Sequence, residues 1–158
     1  MGLLEKLEPT IKKLEETKLK LREEFKLIFK DETKELFERY DWLKEIAWSQ
    51  YTPYFNDGDS CEFGVNEAYV NGCSLSYDGK KLYAETYNSV LFEEEDAEEF
   101  IESMNEAQLK EFKEVENIAQ TLNNFLCSNE DIALMMFGDH VKVSIQRDGV
   151  FTEEYDHD

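Results

Sequence analysis

Along the first thirty residues the apolar positions recur at alternating spacings of three and four: Leu4, Leu7, Ile11, Leu14, Leu21, Phe25 and Ile28, with Lys18 in the remaining place. This is the a/d seam of a heptad repeat. Proline has no amide hydrogen and clashes with the preceding turn, so Pro9 is expected near a helix start. The continuous helix should then begin around Pro9 or Thr10 and run to about Lys30. A seam of about three heptads is marginal as a free coiled coil, because isolated helices need packing partners in water. Three readings follow: a helix lying on its own domain, self-association through Leu7, Ile11, Leu14, Leu21, Phe25 and Ile28, or capture of another protein's helix.

Past residue 30, Asp31 is placed to cap a second short helix from Glu32 to about Tyr40, with Leu36, Phe37 and Tyr40 inward. The period then changes to two. Ile46, Trp48, Gln50 and Thr52 share one face of a strand, and Ala47, Ser49 and Tyr51 share the other. The turn-forming run Pro53-Tyr54-Phe55-Asn56-Asp57-Gly58-Asp59 follows, and then Cys61, Phe63 and Val65 alternate with polar residues, so residues 45–66 are expected to form a β-hairpin. Residues 67–90, with Asn71-Gly72 and Asp78-Gly79, read as loop-rich with one strand near 81–85.

The helical period returns at Glu93. Ala97, Phe100, Ile101 and Met104 form one stripe, and Leu109, Phe112, Val115, Ala119, Leu122 and Leu126 form the next. Asn105 with Gln108 has the form of a capping pair, so this stretch is either one long helix or two meeting at Asn105. Asn129 is placed to cap a short helix ending at Gly138. Val141, Val143 and Ile145 then alternate with polar residues before Asp148-Gly149 and a final strand over 150–155, a second hairpin. Two hairpins separated by helices predict an α+β fold: an antiparallel sheet with helices packed on one face. The chain divides into the heptad helix, residues 1–30, and a single α+β domain, residues 31–158.

Composition sharpens this picture. With 11 Phe, 8 Tyr and 2 Trp in 158 residues, the chain can build a core that buries roughly two thirds of its unfolded surface, which argues against wholesale disorder despite the charge. The longest apolar run, Ile132 to Phe137, is six residues, where a membrane-spanning helix needs ~20. Acids and bases alternate from Glu5 onward, so a secretory signal is not expected, and three cysteines without framework spacing suit reduced thiols. The cytoplasm is the expected compartment.

The net charge is -20, and it is unevenly placed. Residues 1–30 carry a net of +2, residues 31–90 a net of -7, and residues 91–158 a net of -15. That field repels nucleic acid and anionic membranes and attracts basic surfaces, so direct binding to DNA, RNA or membrane is not expected, and a protein with a basic surface is the expected partner. The densest run is Glu93, Glu94, Glu95, Asp96, Glu98 and Glu99, continued by Glu102 and Glu106. With Ala97, Phe100, Ile101 and Met104 inward, these carboxylates share the outward surface. They form either a solvated face or a surface imitating a phosphate backbone that occupies a protein's nucleic-acid groove.

Other chemistry is sparsely supported. Trp48, Tyr51, Tyr54 and Phe55 crowd four aromatics into eight residues beside Gln50 and Thr52. Trp48 and Tyr51 have opposite strand parity, so with Gln50, Tyr54, Asn56, Asp57 and Asp59 they could form an aromatic and amide surface for a planar, nucleotide-like ligand, or else divide between core and turn. Asn56-Asp57-Gly58-Asp59 lacks the further oxygen ligands of a calcium loop. Zinc held by Cys61, Cys73, His140 and His157 would lack a close ligand pair, and a cysteine nucleophile with His140 as base has no motif behind it. The dispersed glycines leave no phosphate-cradling loop. No metal, no cofactor and no catalytic residue is therefore assigned, and an enzyme is the minority reading.

The segment Trp48-Ser49-Gln50-Tyr51-Thr52-Pro53-Tyr54-Phe55-Asn56-Asp57-Gly58-Asp59-Ser60-Cys61-Glu62-Phe63 resembles the signature of a group of small uncharacterised proteins encoded by bacteriophages and prophages. The ending Glu153-Glu154-Tyr155-Asp156-His157-Asp158 after Val141-Lys142-Val143 is similar too. The resemblance covers residues 35–66 and 137–158, departs at Ser49 and Ser60, and carries no biochemical activity. It implies a phage-type protein acting inside a bacterial cell. The leading expectation is a non-enzymatic acidic interaction protein that inhibits a host nucleic-acid-processing or defence protein through its acidic face. The alternatives are a small-ligand module built on the aromatic hairpin and an oligomeric assembly protein built on the N-terminal helix.

Overall fold

The computed structural model describes residues 2–55, 57–75 and 81–157. The Asn56 position and the expected Asp78-Gly79 turn lie outside them. The heptad stripe forms one helix, α1, Leu3–Arg39, with Pro9 inside it. This corrects two expectations. The helix starts six residues before Pro9, because the missing amide removes only one bond, to Glu5, from a run of strong helix formers. It also runs straight through Asp31, since that residue sits among Lys30, Glu32 and Lys34 with no glycine or proline to break the backbone.

After α1 come strands β1, Glu45–Tyr51, β2, Gly64–Val65, β3, Tyr69–Val70, β4, Cys73–Leu75, and β5, Leu82–Ala84. A short 3-10 turn, Thr86–Asn88, leads to helices α2, Glu94–Ser103, α3, Glu106–Ser128, and α4, Glu130–Phe137, and the chain ends in strands β6, Val141–Gln146, and β7, Gly149–Glu154. The strands make one antiparallel sheet in the order β5-β4-β3-β1-β6-β7, with β2 also on β1. The α+β expectation holds.

The helix boundaries follow their caps. At the start of α3 the Gln108 amide donates to Asn105 Oδ1 at 2.9 Å and the Asn105 amide donates back to Gln108 Oε1 at 3.1 Å, so α2 and α3 are separate helices. α4 ends at Gly138, whose φ of 91° suits a residue without Cβ. The C-terminal hairpin has Gln146 opposite Gly149 across a two-residue loop. The 45–66 hairpin is shorter than expected, because only Gln50 and Tyr51 pair with Val65 and Gly64. Residues 67–90 hold more strand than expected. Asn71 and Gly72, with φ of 53° and 68°, close a two-residue turn between β3 and β4. A Cβ on Gly72 would sit 3.0 Å from Phe92 Cβ, so only glycine suits that turn.

Both faces of β1 are covered. Ile46 and Trp48 face the helical layer with Val70, Val143 and Ile145, and meet Phe37, Phe112, Val115, Leu126, Met136 and Phe137 in the main core. On the other face Glu45, Ala47 and Ser49 are also buried, under the 3-10 turn and the chain that follows it. The buried Glu45 carboxylate accepts hydrogen bonds from Ser89 Oγ, from Ser144 Oγ at 2.6 Å, and from the Val90 and Leu91 amides at 3.0 Å each. Four donors satisfy a charge that would otherwise be costly to bury.

Candidate functional site

The N-terminal half of α1 has no cover. Every residue over 2–17 is exposed, including the seam residues Leu4, Leu7, Ile11 and Leu14, with Leu4 79% and Ile11 54% accessible. At 1.5 Å per residue, residues 3–21 form an apolar-striped rod roughly 28 Å long. The helix meets the body from Lys18 onward, and its first side-chain hydrogen bond to another element runs from Arg22 Nε to Met135 O at 2.9 Å. Beyond it Phe25, Phe29, Leu36 and Phe37 pack into the core, with the Phe29 and Phe137 ring centroids 6.1 Å apart. The six residues expected on one contact face therefore divide. Leu7, Ile11, Leu14, Leu21 and Ile28 are all exposed, the last on the rim of the body, and Phe25 turns toward the protein's own core.

The heptad line does not stop at Ile28. Its next positions are Glu32, Glu35 and Arg39, and these with Ile28, Ile118 and Leu122 line an apolar groove of about 570 Å³ between α1 and α3. Ile118 on the α3 wall is 46% accessible. The seam and the groove thus lie on one line, open on either side of Phe25, whose ring packs against the core.

The acidic run folds as its stripe predicts. Ala97 is buried, Phe100, Ile101 and Met104 pack against the core, and Glu93, Glu94, Glu95, Asp96, Glu98, Glu99, Glu102 and Glu106 are all exposed on and beside α2. Among the described residues, none of the eight makes an ion pair within the chain.

The aromatic hairpin, by contrast, is occupied. Trp48 is fully buried and donates from Nε1 to Gln50 Oε1 at 3.0 Å, while Gln50 Nε2 donates to Ala133 O at 2.9 Å and Gly138 O at 2.7 Å. All of Gln50's amide is committed to fastening α4 to the sheet, so Trp48 and Gln50 belong to the core and not to a ligand surface. Asp57 and Asp59 lie exposed in the turn, with Asp57 at a φ of 46°. Tyr51 and Tyr54 hold two histidines. His157 stacks between them, 3.8 Å from the Tyr51 centroid and 4.3 Å from that of Tyr54, and His140 Nδ1 lies 2.6 Å from His157 Nε2. In this hydrogen bond one ring nitrogen donates and the other accepts. Beside it the Asp139 carboxylate accepts from the Thr52 amide and Thr52 Oγ1, both at 2.7 Å, and from the His140 amide at 2.8 Å. Burial works to raise the Asp139 pKa, and these hydrogen bonds outweigh it, holding the carboxyl below its ordinary value.

In sequence His140 and His157 lie 17 residues apart, with no local pattern that joins them. The signal that joins them is the register of the C-terminal hairpin: with Val141 opposite Glu154, His140 falls opposite Tyr155, and His157 lies two residues on, on the same face. The cysteine readings find no chemistry. Burial pushes the Cys73 thiol up to about 12, with Glu116 adding to it, so Cys73 stays protonated, and Cys61 and Cys127 lie exposed as free thiols. Among the described residues no group of three or more His, Cys, Asp or Glu side chains is gathered to hold a metal ion, and no helix is long and apolar enough to cross a membrane. In comparisons with protein families, curated proteins and solved structures, nothing matches the chain.

Proposed function

We propose that this chain is a non-enzymatic interaction protein that assembles through the free half of α1. The observation that carries this reading is the exposure of every residue over 2–17, with Leu4, Leu7, Ile11 and Leu14 on one stripe. A stripe of that kind on an isolated helix is stable in water only when another apolar surface covers it. The protonated, buried Cys73 and the histidines engaged with one another support a role in binding over one in catalysis. The resemblance to phage and prophage proteins supports a setting in the cytoplasm of a bacterial host.

Sedimentation of the full chain over roughly two decades of concentration tests the proposal, since association is governed by mass action. The expected result is an oligomer that Ile11→Glu with Leu14→Glu returns to a monomer of unchanged far-ultraviolet spectrum. A wild-type chain that stays monomeric throughout overturns the reading.

A second reading is favoured by the eight carboxylates on and beside α2, none of which makes an ion pair among the described residues. Displayed on an assembled particle, this face would engage a basic site on a host or phage protein as a mimic of nucleic acid, inhibiting a nucleic-acid-processing or defence protein. Affinity for a captured partner should then fall steeply as salt is raised, and an affinity indifferent to salt rejects the mimicry.

A further inference from the structure

Resting on the reading that α1 is the assembly element, we infer that its occupant is a second copy of this chain lying antiparallel. In that arrangement the N-terminal leucines of each copy reach the groove between α1 and α3 of the other. Three features decide this. The first is Lys18. In a parallel pair of heptad helices an a position faces the same a position of its partner. Lys18 would then meet Lys18 of the second copy in the middle of the seam, two ammonium groups with no carboxylate between them. In an antiparallel pair a faces d, and the register that overlaps Leu4 to Ile28 along its full length sets Lys18 opposite Leu14 of the second copy, with Glu15 of that copy alongside.

The flanking charges point the same way. In the antiparallel register the e positions meet one another, which brings Glu8 of each copy beside Arg22 of the other, whose Nε already donates to Met135 O of its own body and whose terminal nitrogens would take the carboxylate, and sets the two Glu15 side chains between the two lysines. In the parallel register the flanking pairs are Thr10 with Glu15, Thr17 with Arg22 and Glu24 with Phe29, none of which is an ion pair. Charges beside a seam choose orientation and partner more than they add strength, and here they choose opposite directions.

The groove supplies the third argument. Leu4 opposite Ile28 brings Leu3 and Leu4 of one copy to the groove lined by Ile28, Ile118 and Leu122 of the other, on the line along which the seam already runs. The free stripe, about two and a half heptads long, is thereby extended by an apolar wall that belongs to α3.

Single cysteines on the full chain, in a background carrying Cys61→Ser and Cys127→Ser, test the geometry with a short bis-maleimide crosslinker. Glu15→Cys should link to itself, because the two Glu15 positions adjoin at the centre of the antiparallel pair. Ile11→Cys should not, because it lies opposite Leu21 of the second copy, roughly 15 Å along the axis from its own equivalent. Ile118→Glu, on α3 and remote from the seam in sequence, should raise the dissociation constant about tenfold or more, as expected when a charge enters an apolar contact. Self-linkage at Ile11→Cys without linkage at Glu15→Cys overturns the antiparallel arrangement while leaving assembly through α1 standing. An unchanged dissociation constant for Ile118→Glu overturns the part played by the groove. A monomeric chain in sedimentation overturns the assembly reading itself, so the two failures are told apart.

Discussion

The two halves of α1 obey one periodic rule and meet opposite fates. Residues 22–39 lay Phe25, Phe29, Leu36 and Phe37 into the core, while residues 3–17 hold Leu4, Leu7, Ile11 and Leu14 in the open. Residue type separates them. The docked half is rich in phenylalanine, whose rings reach from the helix to Phe137 and the sheet, and the free half is aliphatic, the composition that suits helix against helix. Lys18 marks the changeover, and Arg22 makes the first tie, to the carbonyl of Met135. Spacing therefore says which face of a helix is to be covered. What covers it, the chain's own body or another molecule, is written in the side chains that occupy the spacing.

The largest effect that could break this comparison lies in the docked half. Phe37 is almost wholly buried in the main core, and Phe37→Ala should cost about 3–5 kcal/mol in denaturant unfolding. Ile11→Ala, deleting a similar apolar side chain from the same helix, should leave the unfolding of a dilute, unassembled chain nearly unchanged and act only on association. Equal losses from the two variants, measured well below the concentration of assembly, would mean that the free half is held by the body after all.

The contrast also needs a rigid platform for the docked half. That platform has two covered faces, and Glu45 holds the second. Glu45→Ala would strand Ser89 Oγ, Ser144 Oγ and the Val90 and Leu91 amides, at a cost of about 3 kcal/mol. A loss within a few tenths of a kcal/mol of zero would show that residues 86–91 are a loose cover.

This residue marks where the sequence stopped being legible. The Asn105 and Gln108 cap, the Gly138 terminus and the C-terminal hairpin could be read, because each depends on backbone rules within a few residues. The alternation in β1 correctly divided Ile46 and Trp48 from Ala47 and Ser49, yet nothing local showed that both faces would be buried, since the cover arrives from residues 86–91. A glutamate at a strand's first position reads as a solvated flank, and only the convergence of four distant donors makes it internal. The histidine pair was hidden for the same reason, needing the hairpin register carried two residues past its last pairing. Helix ends were misplaced in α1 because Pro9 removes one hydrogen bond, and a run of strong formers on both sides absorbs the loss. Of the candidate site, the seam was legible and its division between the core and the open was not.

A smaller effect tests the seat of α4, the helix that receives Arg22 and Phe29. Asp139 joins the chain just after α4 to Thr52 beyond β1, and Asp139→Asn should cost about 1–2 kcal/mol near neutral pH. Its carboxyl sits below the ordinary aspartate value when folded. The stability it contributes is therefore fully present above the unfolded value of roughly pH 4 and is lost as pH falls through the lower, folded one. Wild type and Asp139→Asn should differ at pH 7 and converge in acid below that window. A gap that stays constant down to the acid limit would assign the loss to altered shape and not to the charge.

The smallest effect on the body should come from Pro9→Ala, and it bears most directly on the free half. Alanine restores the amide that would donate to the Glu5 carbonyl and removes the ring that crowds the preceding turn, a change worth up to ~3 kcal/mol inside a fully formed helix. That gain appears in denaturant unfolding only if residues 3–8 belong to the cooperative unit. Every one of them is exposed, so the midpoint should stay within about 0.3 kcal/mol of wild type, while helicity at 222 nm rises and association strengthens. If Leu3 and Leu4 enter the groove of a second copy, the proline also limits how firmly they can be presented, and a straighter first turn should tighten the pair. A Pro9→Ala chain that unfolds later but associates no better would join residues 3–8 to the body and erase the distinction between the two halves of the helix.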